Sequence, residues 1–168
     1  MILHTYVTGE GDPFVFLHSG GMTGATEYEE QRDFFIKRND LVIRPDLRGH
    51  GKSVGTIDGD YFGHCVKDLA DTLKALNVTQ CHLAGVSLGG IVGLLFAKEF
   101  PEMVKSLSFS SIFPVKPDDW DEQMRQELER YRQLFDSDEV VSFMDKIHGK
   151  NDWTSLLVRF CDDDFYPV

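Results

Sequence analysis

The 168-residue sequence has no long hydrophobic run and comparatively little positive charge. No apolar stretch approaches the ~20 residues of a membrane-spanning helix. The amino terminus has no basic segment leading into an apolar one, so no secretory signal is expected. Seventeen Lys and Arg stand against 28 Asp and Glu, which gives a formal net charge of −11. Nucleic acids and anionic membranes are therefore not expected as partners, because both bind clustered basic side chains.

Cysteine is also scarce. The three cysteines, Cys65, Cys81 and Cys161, are an odd number and contain no C-x-x-C pair, so neither a disulfide framework nor a zinc site is expected. We interpret them as small buried apolar residues. This usage is typical of a reducing compartment and predicts a cytoplasmic protein without a bound metal.

Short apolar runs alternate with helical patterns through the first two thirds of the chain. The predicted strands are residues 2–8, 14–17, 41–43, 81–86 and 104–113. The predicted helices are residues 27–37, an apolar stripe from Phe62 to Leu76, and the stretch between Ser87 and Pro101. Because the strands are continuous apolar runs, the pattern predicts an α/β fold with a mostly parallel sheet and helices on both faces.

The pattern changes after Pro114, where helical periodicity continues without a strand. The expected capping residues of three further helices are Asp118, Asp138 and either Asn151 or Asp152. We therefore predict an α/β core over residues 1–113 and a helical lid over residues 114–168. Large side chains of the lid are expected to pack on the core and to supply a mostly apolar pocket wall. These side chains are Trp120, Met124, Phe143, Trp153 and Phe160.

The stretch GVSLG, residues Gly85–Gly89, matches the G-x-S-x-G pattern of a nucleophilic serine at a sharp strand-to-helix turn. A predicted strand precedes Ser87 and a predicted helix follows it, as the pattern requires. Glycine removes the Cβ atoms that would clash in such a turn. Ser87 is thus the candidate nucleophile, and the Leu88 N–H is one candidate oxyanion donor. The alternative interpretation is a serine helix cap with glycines for close helix–sheet packing.

Three stretches of the sequence together resemble the α/β-hydrolase family. They are LHSGG at residues 17–21, PDLRGHGKS at residues 45–53 and GVSLG at residues 85–89. They occur in the family's order and extend over about the first two thirds of the chain. The resemblance implies a hydrolase of ester, lactone or similar acyl bonds that forms an acyl-enzyme on serine, and no cofactor is predicted.

The resemblance also implies roles for the first two stretches. In LHSGG, the Gly20 N–H matches the family's second oxyanion donor and His18 resembles a structural histidine, while Ser19 departs from the usual glycine. In PDLRGHGKS, Asp46 and Arg48 resemble scaffold residues that hold turns. The GKS ending does not indicate a phosphate-binding P-loop, because Asp46 occupies the position that requires glycine.

Neither the base nor the acid of a catalytic triad is evident. The family's chain order is nucleophile, acid, histidine, and the only histidine after Ser87 is His148. His148 is thus a candidate base, although its place at the end of a predicted helix also suits a cation near the helix dipole. His50 is the second choice. Asp118 and Asp119 follow the last predicted strand, where some family members place the acid, and helix capping explains them as well.

Two functional hypotheses follow. The first is a serine hydrolase that acts on a small, mostly apolar acyl substrate. The second is a catalytically incomplete chain, either a ligand-binding module or the front part of a longer hydrolase that ends within the lid. If the chain is such a front part, residues 104–113 are expected to form an unpaired edge strand, which favours self-association through the sheet.

Overall fold

A computed structural model describes residues 1–167. The strands are β1 (Thr5–Thr8), β2 (Pro13–Leu17), β3 (Leu41–Pro45), β4 (Cys81–Val86) and β5 (Val104–Ser110). The helices are α1 (Glu29–Lys37), α2 (Tyr61–Ala75), α3 (Leu88–Glu99), α4 (Trp120–Phe135), α5 (Asp138–His148) and α6 (Trp153–Arg159), with a short 3-10 helix at Pro101–Met103. Each strand and helix expected from the sequence is present. Over the described residues, no helix has the length and apolar character needed to cross a membrane.

The five strands form one sheet in the order β1-β3-β2-β4-β5. β1 runs antiparallel to β3, and the other neighbouring pairs are parallel. Parallel strands share a carboxyl edge, so the loops that follow β2, β3, β4 and β5 meet at one end of the sheet. Ligands of open α/β sheets bind at this end. The prediction of a mostly parallel sheet is confirmed.

Helices cover both faces of the sheet. Phe35 of α1 packs against Phe14 of β2 with ring centroids 4.2 Å apart. Leu17 of β2 and Leu83 of β4 instead approach Gly93 of α3 on the opposite face, as the alternation of side chains along a strand requires. α2 packs beside α3. The expectation of helices on both faces is therefore confirmed.

The largest hydrophobic cluster lies between the sheet and helices α2 and α3. Its fully buried members include Val15, Leu17, Ile43, Leu69, Leu73, Val92 and Phe96. Leu156 and Phe165, from the part of the chain after β5, belong to the same cluster. A second cluster is built on Met144, Trp153 and Leu157. The segment after residue 113 thus packs on the core and also has an apolar centre of its own, while the division into a core and a lid stays a prediction.

The three cysteines are packing residues. Cys65 and Cys81 are buried, and burial raises the pKa of their thiols to about 12 and about 11. Cys161 is partly buried, which raises its pKa to about 11. Thiols with such pKa values stay protonated at neutral pH, so they are poor nucleophiles and poor metal ligands.

Two strands are shorter than expected. Residues 2–4 do not join β1, because the Leu3 N–H donates to the Thr72 hydroxyl at 2.9 Å instead of to a neighbouring strand. β5 ends at Ser110 rather than at residue 113, since Ser111 turns the backbone with φ 58°. Both differences depend on contacts and backbone angles that an apolar run does not reveal.

Two of the expected helix caps are wrong. α4 has Asp119 rather than Asp118 at its N-cap, and no side chain accepts a capping hydrogen bond there. α5 is capped by Ser137, whose hydroxyl accepts a backbone N–H of the first turn. Asp138 is the first residue of that helix, where its negative charge interacts favourably with the helix dipole. α6 is capped by Asp152, one of the two residues expected.

β5 is an edge strand. Within residues 1–167 it has a hydrogen-bonded neighbour on one side only, which is β4. Phe109 on this strand is 47% exposed. An open edge with an exposed aromatic side chain favours pairing with another chain, and self-association through β5 stays a prediction.

Candidate active site

Ser87 lies at the sharp turn between β4 and α3. Its backbone has φ 51° and ψ −118°, a combination that residues with a side chain rarely adopt. The Ser87 N–H donates to the Ser110 carbonyl at 3.0 Å, and the Ser87 carbonyl accepts the N–H of Ile91 at 3.0 Å. The turn is thus fixed on both sides of the serine. Ser87 occupies the N-cap position of α3, but its side chain makes no capping hydrogen bond, so capping does not account for the serine.

The two glycines of the motif are required by close backbone contacts. A Cβ on Gly85 would lie 2.2 Å from the carbonyl oxygen of Gly89, and a Cβ on Gly89 would lie 2.1 Å from the carbonyl oxygen of Leu17. The opposing atoms belong to the backbone, which cannot move aside as a flexible side chain does. Only glycine therefore lets the turn pack against the end of β2.

Ser87 opens onto a cavity of about 760 Å³ between the carboxyl end of the sheet and helices α4–α6. On the sheet side the lining residues include Ser19, Gly20, Gly21, Ser87 and Leu88. On the helical side they include Trp120, Met124, Tyr131, Met144, Trp153, Leu157 and Phe160. Phe143, also expected in this wall, lies outside it and is 46% exposed.

The two predicted oxyanion donors belong to residues that line the cavity with Ser87. Leu88 is the first residue of α3, where backbone N–H groups have no partner inside the helix. Gly20 lies in the loop after β2. Within residues 1–167, neither the Gly20 N–H nor the Leu88 N–H donates a hydrogen bond. Two available donors therefore accompany Ser87 at the cavity wall.

His18 and His50 are fully buried next to the Gly20 loop. His18 Nδ1 donates to the Ser19 carbonyl at 2.8 Å, and His18 Nε2 accepts the Leu47 N–H at 2.8 Å. His50 Nε2 lies 3.0 Å from the Gly20 carbonyl oxygen. Burial lowers the pKa of both rings, to about 4 for His50. Neither residue lines the cavity, so this geometry favours structural roles and does not favour His50 as the base.

His148 is fully buried at the end of α5. Its Nδ1 accepts the Gly51 N–H at 3.3 Å, and its Nε2 donates to the Gly21 carbonyl at 3.4 Å. Burial lowers the pKa of the ring, against the opposing effects of the Gly21 carbonyl and the Asp46 carboxylate. The alternative of a cation near the helix dipole is not favoured either, because the ring is buried between two loops. With both nitrogens engaged and no place in the cavity wall, His148 is not favoured as the base.

The cavity wall formed by residues 1–167 contains no histidine and no aspartate. Asp118 and Asp119 are exposed at the start of α4 and do not line it. Its one carboxylate within that range is Glu127, which forms an ion pair with Arg130 at 2.8 Å. A serine nucleophile needs a base and an orienting acid, and the described residues do not bring such a pair to Ser87.

Glu27 supports the loop next to Gly20 through a contact that the sequence does not indicate. Its carboxylate accepts the Ser19 N–H at 2.6 Å and the Ser19 hydroxyl at 3.2 Å. Ser19, the departure from the family's usual glycine, thereby gains a partner next to Gly20. The contact depends on how the loop folds back toward α1, so no local pattern could have identified it.

Asp46 holds turns, as the resemblance implies, whereas the Arg48 side chain pairs with helix α2. Asp46 is fully buried, and its carboxylate accepts the N–H groups of Gly24 at 2.8 Å and Lys52 at 2.9 Å. Arg48 makes a two-pronged ion pair with Asp68, at 2.7 and 3.2 Å. Neither residue lines the cavity. Over the part of the chain that the structure describes, no group of three or more His, Cys, Asp or Glu side chains forms a metal site.

Known proteins resemble this chain over most of its length. The sequence profile of the alpha/beta hydrolase fold family matches residues 12–146. Human serine hydrolase BPHL is 34% identical over 109 residues, which are 62% of this chain and 38% of the human protein. The bifunctional esterase/perhydrolase DCH of Acinetobacter calcoaceticus is 29% identical over 105 residues, covering 61% and 38% of the two chains. A solved marine microorganism esterase has a TM-score of 0.72 at 22% identity, covering 94% of this chain and 63% of the esterase.

The chain spans about two fifths of the length of the curated relatives it matches. The activities named for those relatives therefore belong to longer proteins. The family profile nevertheless covers well over half of this chain and includes all three motif stretches, among them the turn at Ser87. The chain belongs to the alpha/beta hydrolase fold family.

Proposed function

We propose that Ser87 is the nucleophile of a serine hydrolase that acts on ester, lactone or similar acyl bonds. The observation that carries the proposal is the strained backbone of Ser87, with φ 51° and ψ −118° at a strand-to-helix turn. Such strain persists only where the surrounding structure enforces it, and it is concentrated at functional sites. The name of the human relative, serine hydrolase BPHL, supports the same chemistry.

In the proposed reaction, Ser87 Oγ attacks the carbonyl carbon of the substrate and transfers its proton to a base. The carbonyl oxygen becomes negatively charged, and the Gly20 and Leu88 N–H groups stabilise it. The bond to the leaving alcohol then breaks, the alcohol takes the proton, and an acyl-enzyme remains on Ser87. Water attacks the acyl carbon, releases the carboxylic acid and restores the serine hydroxyl. We assign no residue among 1–167 as the base.

The cavity walls favour a small, mostly apolar acyl group. Aromatic and Met side chains of the segment after β5 line the cavity that Ser87 shares, among them Trp120, Met124 and Phe160. Pocket shape sets substrate choice within a fold family. An apolar wall binds more tightly those substrates that bury hydrocarbon surface against it. A short-chain ester is therefore the first substrate to test.

Hydrolysis of p-nitrophenyl acetate by the 168-residue chain tests the nucleophile. We expect Ser87→Ala to abolish turnover, because the Ser87 hydroxyl supplies the attacking oxygen in the proposed reaction. Ser108→Ala on β5 is the matched control, since Ser108 lies outside the cavity wall, and it should hydrolyse the ester at the wild-type rate. Hydrolysis that survives Ser87→Ala shows that the nucleophile is wrongly assigned.

A second candidate function is ligand binding without turnover. The observation that favours it is the lack of histidine and aspartate in the cavity wall formed by residues 1–167. Both tryptophans of the chain, Trp120 and Trp153, line this cavity, so their fluorescence reports on its occupancy. Quenching by p-nitroacetophenone, a ketone that cannot be hydrolysed, together with no turnover of the matching ester, would support binding alone.

A further inference from the structure

His148 reaches two loops of the α/β core from the end of α5. Its Nδ1 accepts the Gly51 N–H at 3.3 Å, so Nδ1 carries no proton and the neutral ring has its N–H on Nε2. That Nε2–H points at the Gly21 carbonyl oxygen, 3.4 Å away. The tautomer is assigned from these two partners. One buried ring therefore bridges the Gly51 turn and the Gly21 loop.

Asn151 reinforces the same attachment. Its side-chain Nδ2 donates to the Gly51 carbonyl at 2.8 Å and to the His148 carbonyl at 3.0 Å. Gly51 is thus held at both its N–H and its carbonyl by the connection between α5 and α6. This connection fastens the helical segment to the core at a defined point, rather than only closing the end of its own helix.

The Gly21 carbonyl is the last of three consecutive carbonyls that meet buried histidines, which we call the histidine cluster (His18, His50 and His148). The three distances, in chain order, are 2.8 Å from Ser19 O to His18 Nδ1, 3.0 Å from Gly20 O to His50 Nε2 and 3.4 Å from Gly21 O to His148 Nε2. Neighbouring ring centroids in the cluster are 4.8 and 5.5 Å apart. The loop that carries the Gly20 donor therefore packs, through three consecutive carbonyls, against three neighbouring imidazole rings.

These carbonyl contacts set the direction of the loop's N–H groups. In a trans peptide the C=O and N–H of one unit point in opposite directions. Because the carbonyls of Ser19 and Gly20 face the histidine cluster, the N–H groups of Gly20 and Gly21 face away from it. Ser19, Gly20 and Gly21 all line the cavity, so the histidine cluster turns backbone donors toward the side on which Ser87 lies.

The contact made by His148 also helps to close the turn around Gly20. The Gly21 carbonyl and the Met22 N–H belong to the same peptide unit. While the carbonyl of that unit accepts from His148, its N–H donates back to the Ser19 carbonyl at 3.1 Å. Loss of the His148 contact frees this unit to rotate, and with it the turn that presents Gly20.

We infer that His148 is a positioning residue that makes the geometry of the oxyanion loop depend on docking of the α5–α6 segment. The part of the inference that concerns catalysis rests on the proposed function, whereas the contact with the loop does not. The other two members of the histidine cluster come from the core itself. His148 is the member that arrives from the helical segment, so it couples the two.

Amide hydrogen exchange of the full 168-residue chain tests the coupling without any need for activity. His148→Leu removes both ring hydrogen bonds at similar volume, and His148→Gln keeps one acceptor and one donor. Ser137→Ala is the matched control, because it weakens the start of α5 and touches neither loop. We expect the Met22 and Gly51 amides to exchange at least about tenfold faster in His148→Leu, and within about threefold of wild type in His148→Gln and Ser137→Ala.

The result that would overturn the inference is Met22 exchange in His148→Leu no faster than in Ser137→Ala, since His148 would then only fasten the helix. Failure of His148→Gln to restore protection would overturn it too. If His148→Leu does not fold, the tautomer of the His148 ring in the wild-type protein tests the inference instead. Its ¹⁵N NMR spectrum at pH 7 should show the Nε2–H tautomer of His148, and an Nδ1–H tautomer or a charged ring contradicts the two-sided contact.

Turnover of p-nitrophenyl acetate connects the contact to catalysis. We expect His148→Leu to lower kcat by between about tenfold and a hundredfold, with KM within about twofold of wild type, and His148→Gln to recover most of the loss. If the wild-type chain shows no Ser87-dependent hydrolysis, the proposed function is wrong. The inference about His148 is then tested by the amide exchange rates and the His148 tautomer alone. Normal hydrolysis with unchanged Met22 exchange in His148→Leu would overturn the inference alone.

Discussion

At the residue scale, Ser87 is held in a conformation that it would not adopt by itself. A residue with a side chain in this region of backbone space costs about 1–3 kcal/mol. The hydrogen bonds to Ser110 and from Ile91 fix its peptide units on both sides, and the bare backbones of Gly85 and Gly89 leave room for the turn. The strain thus follows from the packing of the whole corner, and it leaves the hydroxyl facing a cavity.

Gly89→Ala tests this packing. Helix propensity alone favours alanine by about 1 kcal/mol at a helical position, but the new Cβ would lie 2.1 Å from the Leu17 carbonyl oxygen. We therefore expect a loss of about 1–3 kcal/mol in the free energy of unfolding, measured by urea denaturation. Gly21→Ala is the control, because its Cβ would meet only the Met144 methyl group at 4.0 Å, and it should stay within about 0.5 kcal/mol of wild type. A Gly89→Ala protein that is more stable than wild type would contradict the close packing at this turn.

At the element scale, α6 is a short helix that contributes to two environments. Leu156 is buried in the main core, while Leu157 lines the cavity and belongs to the second hydrophobic cluster. Seven residues are too few for a helix to persist in water without other support. The Asp152 carboxylate supplies part of that support, accepting the Ser155 N–H at 3.0 Å and the Ser155 hydroxyl at 2.7 Å.

Replacing this cap should destabilise the protein. We expect Asp152→Ala to lower the free energy of unfolding by about 1 kcal/mol, the usual cost of removing a capping side chain. Asp119→Ala at the start of α4 is the matched comparison, because Asp119 occupies the N-cap position without a capping hydrogen bond. This variant should lower the free energy of unfolding by less than about 0.5 kcal/mol. Thermal or urea unfolding measures both, and equal losses would show that the hydrogen bond at α6 has no effect.

Local patterns predicted the elements, and distant contacts decided the details. The run CHLAGV and the turn at Ser87 are encoded in consecutive residues, so the strand, the turn and the glycine requirement follow from the sequence. The buried contact of His148 does not follow from local sequence, because its partner Gly51 lies 97 positions away in the chain. Glu27 was missed for a related reason, since its contact with Ser19 exists only once the loop has folded.

At the scale of the whole molecule, the histidine cluster joins the core to the helical segment and is wholly buried. Burial lowers the pKa of all three rings, and neighbouring rings add to this effect for His18 and His50. The Asp46 carboxylate acts in the opposite direction on His148. The Gly20 and Arg48 carbonyls act in the opposite direction on His50, and burial outweighs them. A buried cluster of this kind tolerates neutral imidazoles and resists charging, so the fold should weaken when the rings take up protons.

Stability should accordingly rise with pH across the histidine range. The unfolded chain binds more protons than the folded one between about pH 4 and 6.5, so the contribution is complete above about pH 6.5 and is lost as pH falls toward 4. For His50, a pKa of about 4 against 6.5 in the unfolded chain corresponds to about 3 kcal/mol of folding stability.

Urea unfolding at several pH values measures how the free energy of unfolding changes with pH. A flat profile from pH 4.5 to 6.5 would contradict neutral burial of the cluster.

Labelling by a fluorophosphonate probe tests directly whether Ser87 is an activated nucleophile. The probe forms a bond to an activated serine oxygen and expels fluoride, and mass spectrometry locates the modified residue. We expect a single modified serine, Ser87, in the folded 168-residue chain, with no labelling in concentrated urea or in Ser87→Ala. Absence of the label from Ser87 in the folded protein, or its attachment to another serine, would contradict the account.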